Sequence, residues 1–544
     1  MVFNTLVYPG KVFISLLSAI SSLADLTFLE KKIVCIARKH AAKVFEKLIH
    51  QNPGYYHRNN LPVIYLEGSC IGCRDDSDRE LTFHQEANFM YLTGAHNLPE
   101  ASVLIMVRST KEEEEGSKGR ESITIDESEI STVLFIPPID PAHVMWSGLP
   151  ETREQIHGRL KDLSAVKYKN ELASYLKNTI PTTHTTTPTP TILSLATSTT
   201  NTISDQFTIS YNDSKLLNAI REARVIKTEQ EIQLIAHANQ ISSDAHTSLM
   251  KSVHDRKITS ESDAEILFRS DCHRRGSKVQ AYEPIFGTIQ KKSFITFFFL
   301  TIKNLTIIMW LSIGYGVHAG TLHYTSNDAK IPSDFDGVLL VDAGCESFGY
   351  ASDITRTFPI GNRGKFIDEA RDIYQIVLDM QEAALSTIKA GIEWEEIQVL
   401  MHKVAAKGLI KLGILKNLTV DESYENGHVI PFFPHGVGHF LGLDTHDVSG
   451  LPNGKGAHPT LKYLRLQRKL EAGNVVTVEP GLYFNQFLLD PVKGSDHINH
   501  EVLVRYLKVG GIRIEDNVVV TQTGCVNLTK VVKTVDEIEK LTSY

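Results

Sequence analysis

Four acidic residues interrupt or close runs of aliphatic and β-branched residues in the C-terminal half of the chain. Asp342 lies in VLLVDAG, Asp353 in FGYASDITRTF, Glu479 in VVTVEPG and Glu515 in GIRIEDNVVV. Such short apolar runs predict buried strands, and a buried carboxylate is costly unless a cation or a hydrogen-bond donor balances it. The chain must therefore fold so that these acids share a balancing cation, or else leave each one as an exposed or hydrogen-bonded turn residue.

A glycine-rich segment, PHGVGHFLGLDTHD, carries His435, His439 and His446. The first two histidines are four residues apart, as in helical zinc peptidases, but glycines lie between them and no glutamate follows the first. Because glycine disfavours helix, the segment is predicted to be a loop that presents histidine side chains. His323, in AGTLHYT, lies in a strand-like setting upstream. Taken singly, each histidine is more often an ordinary hydrogen-bonded residue than a metal ligand.

Four carboxylates and one imidazole form an oxygen-rich ligand set, which suits Mn²⁺ or a similar ion such as Co²⁺ better than zinc. That much charge predicts two ions, and such a pair can hold a bridging hydroxide as nucleophile and polarise a scissile carbonyl. Histidines outside the ligand set would bind substrate and stabilise a tetrahedral intermediate. Strand alternation also places Arg513 and Glu515 on one face. A structural salt bridge would explain that pair equally well.

The N-terminal half predicts a separate domain. A chain of 544 residues is too long for one ordinary core. Helical spacing near the start of this half joins five apolar residues, Ala41, Val44, Phe45, Leu48 and Ile49. Alternating strand and helix signals continue, so residues 39–177 are predicted to form a small α/β domain. Residues 178–209 are dominated by Thr, Pro and Ser and are predicted to be a linker.

The remaining residues, 210–544, predict an α+β domain with antiparallel strand pairing. Thr228 stands three residues before Glu231, which is a capping box at the start of a long helix. A second helix is predicted from Ile367 to Ile388, where apolar residues recur on one face. The strand-like runs that carry the four acids lie between and after these helices.

Two apolar stretches need a separate interpretation. One lies within residues 1–38 and loosely resembles a signal peptide, and the other, SFITFFFLTIKNLTIIMWLSI, is long enough to span a membrane. A span there would place parts of one predicted site on opposite sides of a membrane, so a membrane protein is not expected. We hypothesise instead that residues 1–38 and the insertion 288–313 include sequence foreign to the working protein, such as a retained intron.

Charge and cysteine content exclude other classes. The net charge of −8 comes without a Lys/Arg cluster, so nucleic acid is not an expected partner. Six cysteines are few for this length and favour a reduced, cytoplasmic setting over a secreted or membrane-attached one. Cys70 and Cys73 form a CxxC, but no second pair stands at zinc spacing.

The order Asp, Asp, His, Glu, Glu, with its neighbours, resembles the metallopeptidase family that includes prolidase, aminopeptidase P and methionine aminopeptidase. The likeness covers residues from about 210 to 535, in VDAGCESFGYASDITRTFP, HGVGHFLGLDTHDVSG, VEPGLYF and GGIRIEDNVVVT. It implies a pita-bread catalytic domain with two Mn²⁺ ions. FHQEANFMYLTG in the first half resembles the N-terminal domain of the proline-specific branch, in which a homodimer commonly helps to close the active site.

The resemblance implies a role for each matching residue. Asp342 would hold one ion, His439 and Glu479 the other, and Asp353 and Glu515 would bridge both. The positions that match the family's substrate-binding and proton-handling residues are His323, His435, His446 and Arg513.

Two activities stay open within this family. The chain would hydrolyse the Xaa-Pro bond of dipeptides, as prolidases do, or of longer peptides, as Xaa-Pro aminopeptidases do. Arg465 matches the arginine that in prolidases grips the free carboxylate of a dipeptide, which favours the dipeptidase. A catalytically inactive pita-bread scaffold that binds a protein partner is the alternative from another class, but such relatives typically lose metal ligands.

Overall fold

The computed structural model describes residues 36–56, 60–108, 124–180, 190–196, 207–288, 318–451, 456 and 458–544, together with the backbone of 295–302 and 305–312. The chain divides into two compact units, Met1–Glu231 and Ile232–Tyr544. Each unit is described by itself below.

The first unit is built on one sheet. Its elements are α1 (Ala37–Gln51), β1 (Val63–Glu67), α2 (Ala87–Thr93), β2 (Ser102–Val107), β3 (Ile130–Ile136), α3 (Pro141–Ser147), α4 (Arg153–Arg159), β4 (Ala165–Tyr168), α5 (Leu172–Thr179), β5 (Ile192–Ser194), β6 (Ile209–Ser210) and α6 (Ser214–Val225). The six strands lie in the order β4-β3-β2-β1-β5-β6. Strand β2 is antiparallel to β1 and β3, whereas the other pairs are parallel. This mixture of strands and helices agrees with the predicted α/β domain.

Helix α1 buries the face that its sequence predicts. All five apolar residues at helical spacing are 6% exposed or less, because residues three and four apart share one side of a helix. The helix packs against α6 and β3. Two hydrogen bonds fasten the end of α6: the Lys43 ammonium donates to Ile226 O at 2.7 Å, and the Tyr91 hydroxyl donates to Ala223 O at 2.9 Å.

The prediction of a linker over 178–209 is wrong in its middle part. Strand β5 pairs with β1 inside the sheet, and Ile192 and Leu193 are buried. Two apolar residues, Ile192 and Leu193, suffice for this short inner strand, but the surrounding threonines and prolines hide them in the composition. Because β6 and α6 also belong to this unit, the division falls at Glu231 and not at residue 209. Residues 181–189 and 197–206 of the predicted linker, like 1–35 of the predicted extension, lie outside the described residues.

The second unit combines long helices with short antiparallel strands. Its elements are α7 (Glu229–His254, which begins at the end of the first unit), α8 (Glu261–Arg274), β7 (Ile285–Gly287), β8 (Ile295–Ile302), β9 (Leu305–Ser312), β10 (Gly337–Asp342), β11 (Glu346–Ser347), β12 (Tyr350–Ala351), β13 (Thr355–Ile360), α9 (Asp368–Thr387), α10 (Trp394–Lys411), α11 (Val420–Glu425), β14 (Val475–Val478), β15 (Gly481–Tyr483), α12 (Gln486–Leu489), α13 (His500–Tyr506), β16 (Gly511–Arg513), β17 (Asp516–Val520), β18 (Cys525–Asn527) and α14 (Val535–Thr542).

Strand pairing in this unit confirms the predicted α+β class. The sheets β7-β10-β13, β14-β17-β18 and β15-β16 pair antiparallel throughout. The capping box is present, since Thr228 N donates to Glu231 Oε2 at 2.7 Å and Glu231 N to Thr228 Oγ1 at 3.2 Å. Helix α9 covers the span predicted for the second helix, with Ile373, Val377 and Met380 buried.

The predicted insertion, 288–313, contains a pair of antiparallel strands, β8 and β9. Among the residues that the structure describes, no helix is both long and apolar enough to cross a bilayer. The foreign origin of this insertion remains a hypothesis.

Candidate metal centre and active site

A cavity of about 970 Å³ opens in the second unit. Every residue that the sequence singles out for the site lines it: Asp342, Asp353, Glu479, Glu515, His323, His435, His439, His446, Arg465 and Arg513. Residues separated by almost two hundred positions in the chain therefore share one wall.

Strand ends bring the acids together. Asp342 is the last residue of β10 and lies opposite Thr355, the first residue of β13, so this hairpin places Asp342 and Asp353 at the same end of the sheet. In the neighbouring sheet Val478 lies opposite Asp516, which places Glu479 and Glu515 side by side. The two sheets are joined where Glu515 N donates to Thr355 O at 3.0 Å.

The histidine segment is a loop, as predicted, and it lies along β14. Thr477 N donates to His439 O at 2.9 Å, and Glu479 N donates to Val437 O at 2.8 Å. Glycine is required at Gly438, because a Cβ there would lie 2.1 Å from Thr477 O. This close approach brings His439 Nε2 to 3.4 Å from Asp353 Oδ2 and 3.6 Å from Glu479 Oε1.

Three buried residues offer a set of metal-ligand atoms. In the described part of the chain, ligand atoms of Asp353, His439 and Glu515 lie within 4.8 Å of one another. His439 Nδ1 lies 2.9 Å from Phe440 O, and a carbonyl only accepts, so Nδ1 carries the proton and Nε2 keeps its lone pair. Glu515 Oε1 is buried and has no hydrogen-bond partner among the described residues. Both observations fit a bound divalent cation.

Burial and the charges of neighbouring acids raise the pKa values of two of the carboxyl groups, those of Glu515 and Glu479. Burial, followed by the charge of Asp353, raises the pKa of Glu515 well above its usual value. Burial raises the pKa of Glu479 to about 7, against the opposing charge of His439. Burial also opposes ionisation of Asp353, but its hydrogen bond and ion pair with His439 outweigh that effect and lower its pKa. This mutual repulsion is what a bound cation would relieve.

Arg513 pairs with a different acid from the one that strand alternation suggests. Its Nη2 donates to Asp342 Oδ2 at 2.6 Å, while its Nε donates to Thr355 Oγ1 at 3.0 Å. That hydroxyl donates in turn to Glu515 Oε2 at 2.7 Å. Arg513 and Glu515 do line the same cavity, as predicted, but a threonine lies between them.

The other histidines surround this group. His435 Nδ1 donates to Gly436 O at 2.8 Å, so its Nε2 accepts from the Tyr483 hydroxyl at 2.8 Å. Burial, with Arg513 nearby, lowers the pKa of His435 to about 3, and burial beside His439 lowers that of His446 to about 4. Both imidazoles are therefore neutral at physiological pH.

Two tyrosines take part in the site without having been singled out by the sequence. The Tyr282 hydroxyl donates to Asp342 Oδ1 at 2.6 Å, and the Tyr483 hydroxyl accepts from Arg513 Nη1 at 2.9 Å. Burial raises the pKa of Tyr483 to about 12 and that of Tyr282 well above its usual value. The signal was weak: Tyr282 stands in the loop before β7, beside Glu283, and Tyr483 follows Glu479 by four residues.

We expect the affinity of the metal-free protein for Mn²⁺ to rise with pH. Glu479, with a pKa of about 7, must lose its proton before it can bind a cation. Binding of the cation displaces one proton, so below that pKa the affinity rises roughly tenfold for each unit of pH. Titration calorimetry at pH values of about 6, 7 and 8 measures the change. A dissociation constant that does not vary over this range would contradict the assignment of Glu479.

Comparisons with known proteins identify the family of the chain. The chain belongs to metallopeptidase family M24, whose profile matches residues 233–522. The N-terminal domain of aminopeptidase P matches residues 38–187. The pita-bread catalytic domain and the preceding α/β domain are thus confirmed.

Within that family, the chain is similar to proteins named for one activity. It is 38% identical over 508 residues to a probable Xaa-Pro aminopeptidase of Tuber melanosporum, covering 93% of this chain and 96% of the relative. A probable Xaa-Pro aminopeptidase of Paracoccidioides brasiliensis is 37% identical, with 93% and 97% covered. The structure of aminopeptidase P from Escherichia coli with the inhibitor Pro-Leu matches with a TM-score of 0.65 and 26% identity, covering 92% of this chain and 98% of that one.

Proposed function

We propose that this protein is a metal-dependent Xaa-Pro aminopeptidase, which hydrolyses the bond between an N-terminal residue and a following proline. The observation that carries the proposal is the buried group of Asp353, His439 and Glu515 in a cavity lined by histidines. Relatives with the same two domains are named for this activity. Proline-containing peptides are therefore the substrates.

The cations would be two Mn²⁺ ions. Asp342 would hold one, His439 and Glu479 the other, and Asp353 and Glu515 would bridge them. When bound, two such ions supply a nucleophile from water at neutral pH and polarise the scissile carbonyl. Asp342 already accepts hydrogen bonds from Tyr282 and Arg513, but each carboxylate oxygen keeps a further lone pair for a cation.

The side chains around the cation site orient the substrate. His446 is neutral and faces the cavity, so it can donate a hydrogen bond to a carbonyl oxygen as negative charge develops there. The Tyr483 hydroxyl donates to His435 and accepts from Arg513, which fixes all three side chains in advance. His323 lines the same cavity and is exposed to it, where a substrate group can reach it.

Hydrolysis assays after chelation test the proposal. The purified protein is treated with a chelator, and Gly-Pro and a longer Xaa-Pro peptide are offered before and after addition of Mn²⁺. We expect activity to disappear and return with the ion. A folded protein that binds Mn²⁺ but cleaves neither peptide would overturn the proposal.

Replacing Arg465 with methionine separates dipeptidase from aminopeptidase activity. Arg465 lines the cavity, and a charged hydrogen bond to a dipeptide carboxylate is worth about 2 kcal/mol. We expect Arg465→Met to raise KM for Gly-Pro by at least about tenfold, with less effect on a longer peptide. Arg505→Met, at an exposed position of α13, is the control. Equal losses on both peptides would rule out a carboxylate clamp.

Arg465 alone favours a dipeptidase, whereas the relatives are named aminopeptidases. We therefore propose cleavage of longer peptides as the main activity. A homodimer and a cytoplasmic location remain proposals, which sedimentation of the purified protein and cell fractionation can test.

A further inference from the structure

A single buried carboxylate fastens the two ends of the 289–317 segment. Glu261, the first residue of α8, is 0% exposed. Its Oε1 accepts hydrogen bonds from Thr288 N at 2.8 Å, Thr288 Oγ1 at 2.7 Å and His318 Nδ1 at 3.1 Å. Ala319 N also donates to Thr288 O at 3.2 Å. Thr288 and His318, the residues on either side of the segment, are therefore held at the same carboxylate oxygen.

The other oxygen of Glu261 binds the chain beyond His323. Oε2 accepts from the Tyr324 hydroxyl at 2.7 Å and from Ala329 N at 3.0 Å. The backbone of Glu261 donates to Ala329 O at 2.9 Å as well. One carboxylate thus holds the chain five residues before His323 and again at the residue that follows it.

His323 has no regular element of its own. It lies in a turn after the short helix His318–Gly320, and no strand or helix includes it, contrary to the strand-like setting suggested by the sequence. An exposed side chain on such a turn keeps one orientation only if the turn is anchored from outside. Glu261 provides that anchor.

We propose that Glu261 is a positioning residue for His323. It does not line the cavity, and it acts by holding the turn that presents the imidazole to the substrate. The inference deepens the proposed function and rests on it. The ionised form is required, because each carboxylate oxygen accepts from a backbone N–H that can only donate: an amide nitrogen in its place would meet Thr288 N or Ala329 N with a hydrogen of its own.

A double-mutant cycle tests the proposal. Displacing a substrate-binding group by about 1 Å costs about 100-fold, so Glu261→Gln should lower kcat/KM for a longer Xaa-Pro peptide by an amount of that order. His323→Ala should have a similar effect. If Glu261 acts through His323, the double variant is no worse than His323→Ala alone. Losses that multiply would overturn the proposal.

Matched variants separate positioning from folding. Asp263→Asn removes a charge from the same turn of α8, where the hydrogen bonds that the Asp263 carboxylate makes with the described residues come from Thr259; activity should be unchanged. Mn²⁺ affinity should survive Glu261→Gln, since the proposed ligands belong to other segments of the chain, from Asp342 onward. If Glu261→Gln fails to fold, Tyr324→Phe removes one donor only and should give a smaller loss that is again absent in the His323→Ala background.

A measurement that does not depend on catalysis distinguishes the proposed function from the positioning role of Glu261. Modification of His323 by diethyl pyrocarbonate, followed by peptide mass mapping, reports the exposure of the imidazole directly. Its rate should change in Glu261→Gln and stay constant in Asp263→Asn. An inactive wild-type protein would overturn the proposed function, while an unchanged modification rate would overturn the positioning role.

Discussion

Replacing Asp353 with asparagine is expected to abolish peptide hydrolysis while leaving the fold intact. Asp353 belongs to the ligand group with His439 and Glu515, and an amide would present either a weaker oxygen or two hydrogens to the cation. We expect kcat/KM to fall by at least about 1000-fold, or about 4 kcal/mol of transition-state stabilisation. Steady-state assays with excess Mn²⁺ measure the loss.

The metal-free Asp353→Asn protein should remain folded, because the ion pair with His439 that it loses is offset by a second effect. Removing one charge lowers the repulsion that raises the pKa of Glu515. Thermal unfolding in the presence of a chelator checks this. Asp334→Asn, at an exposed position of the same unit, is the control and should change neither property. Near-normal turnover by Asp353→Asn would show that the site lies elsewhere.

Replacing Asp516 with asparagine should have the opposite outcome, with a large loss of stability. Asp516 is 0% exposed; its Oδ1 accepts from Arg356 Nη2 at 2.6 Å and its Oδ2 from Lys533 Nζ at 2.8 Å. Breaking a buried ion pair leaves an uncompensated charge and costs about 3–5 kcal/mol. Urea unfolding of the metal-free protein measures the free energy of unfolding.

The matched control is Asp421→Asn. Asp421 pairs with Lys403 at 2.7 Å, but both side chains are exposed, and such surface pairs contribute about 0–1 kcal/mol. Arg356 and Lys533 hold the pKa of Asp516 below its unfolded value despite burial. The stabilisation is therefore present above a pH of about 4 and is lost as the pH falls through the folded pKa. Equal unfolding free energies for both variants would contradict this account.

The sequence predicted that the four acids would lie close together, because each of them carries a local signal. An acid at the end of a β-branched run is costly wherever it is buried, and antiparallel pairing brings strand ends together. The structure places Asp342, Asp353, Glu479 and Glu515 in one cavity for this reason. Their individual roles toward a metal remain predictions.

Other features depend on contacts that no local pattern encodes. The partner of Arg513 is Asp342, 171 residues away in another sheet. Strand β5 was hidden because two apolar residues within a threonine-rich stretch leave almost no signal, although Ile192 is buried. Glu261 resembled an ordinary acid in the first turn of a helix, and only the packing of Thr288 and Tyr324 shows that it is enclosed by donors.

The hydrogen bond from Ala319 N to Thr288 O closes the loop between these two residues, so the length of that loop has little effect on stability. Once two points of a chain touch, the entropy of closing the loop between them grows only with the logarithm of its length, by about 0.6 kcal/mol for each doubling. Coding sequence gained or lost between residues 289 and 317 therefore has only a small effect on the free energy of unfolding. The number of residues at this position can therefore vary while the residues that line the cavity keep their places.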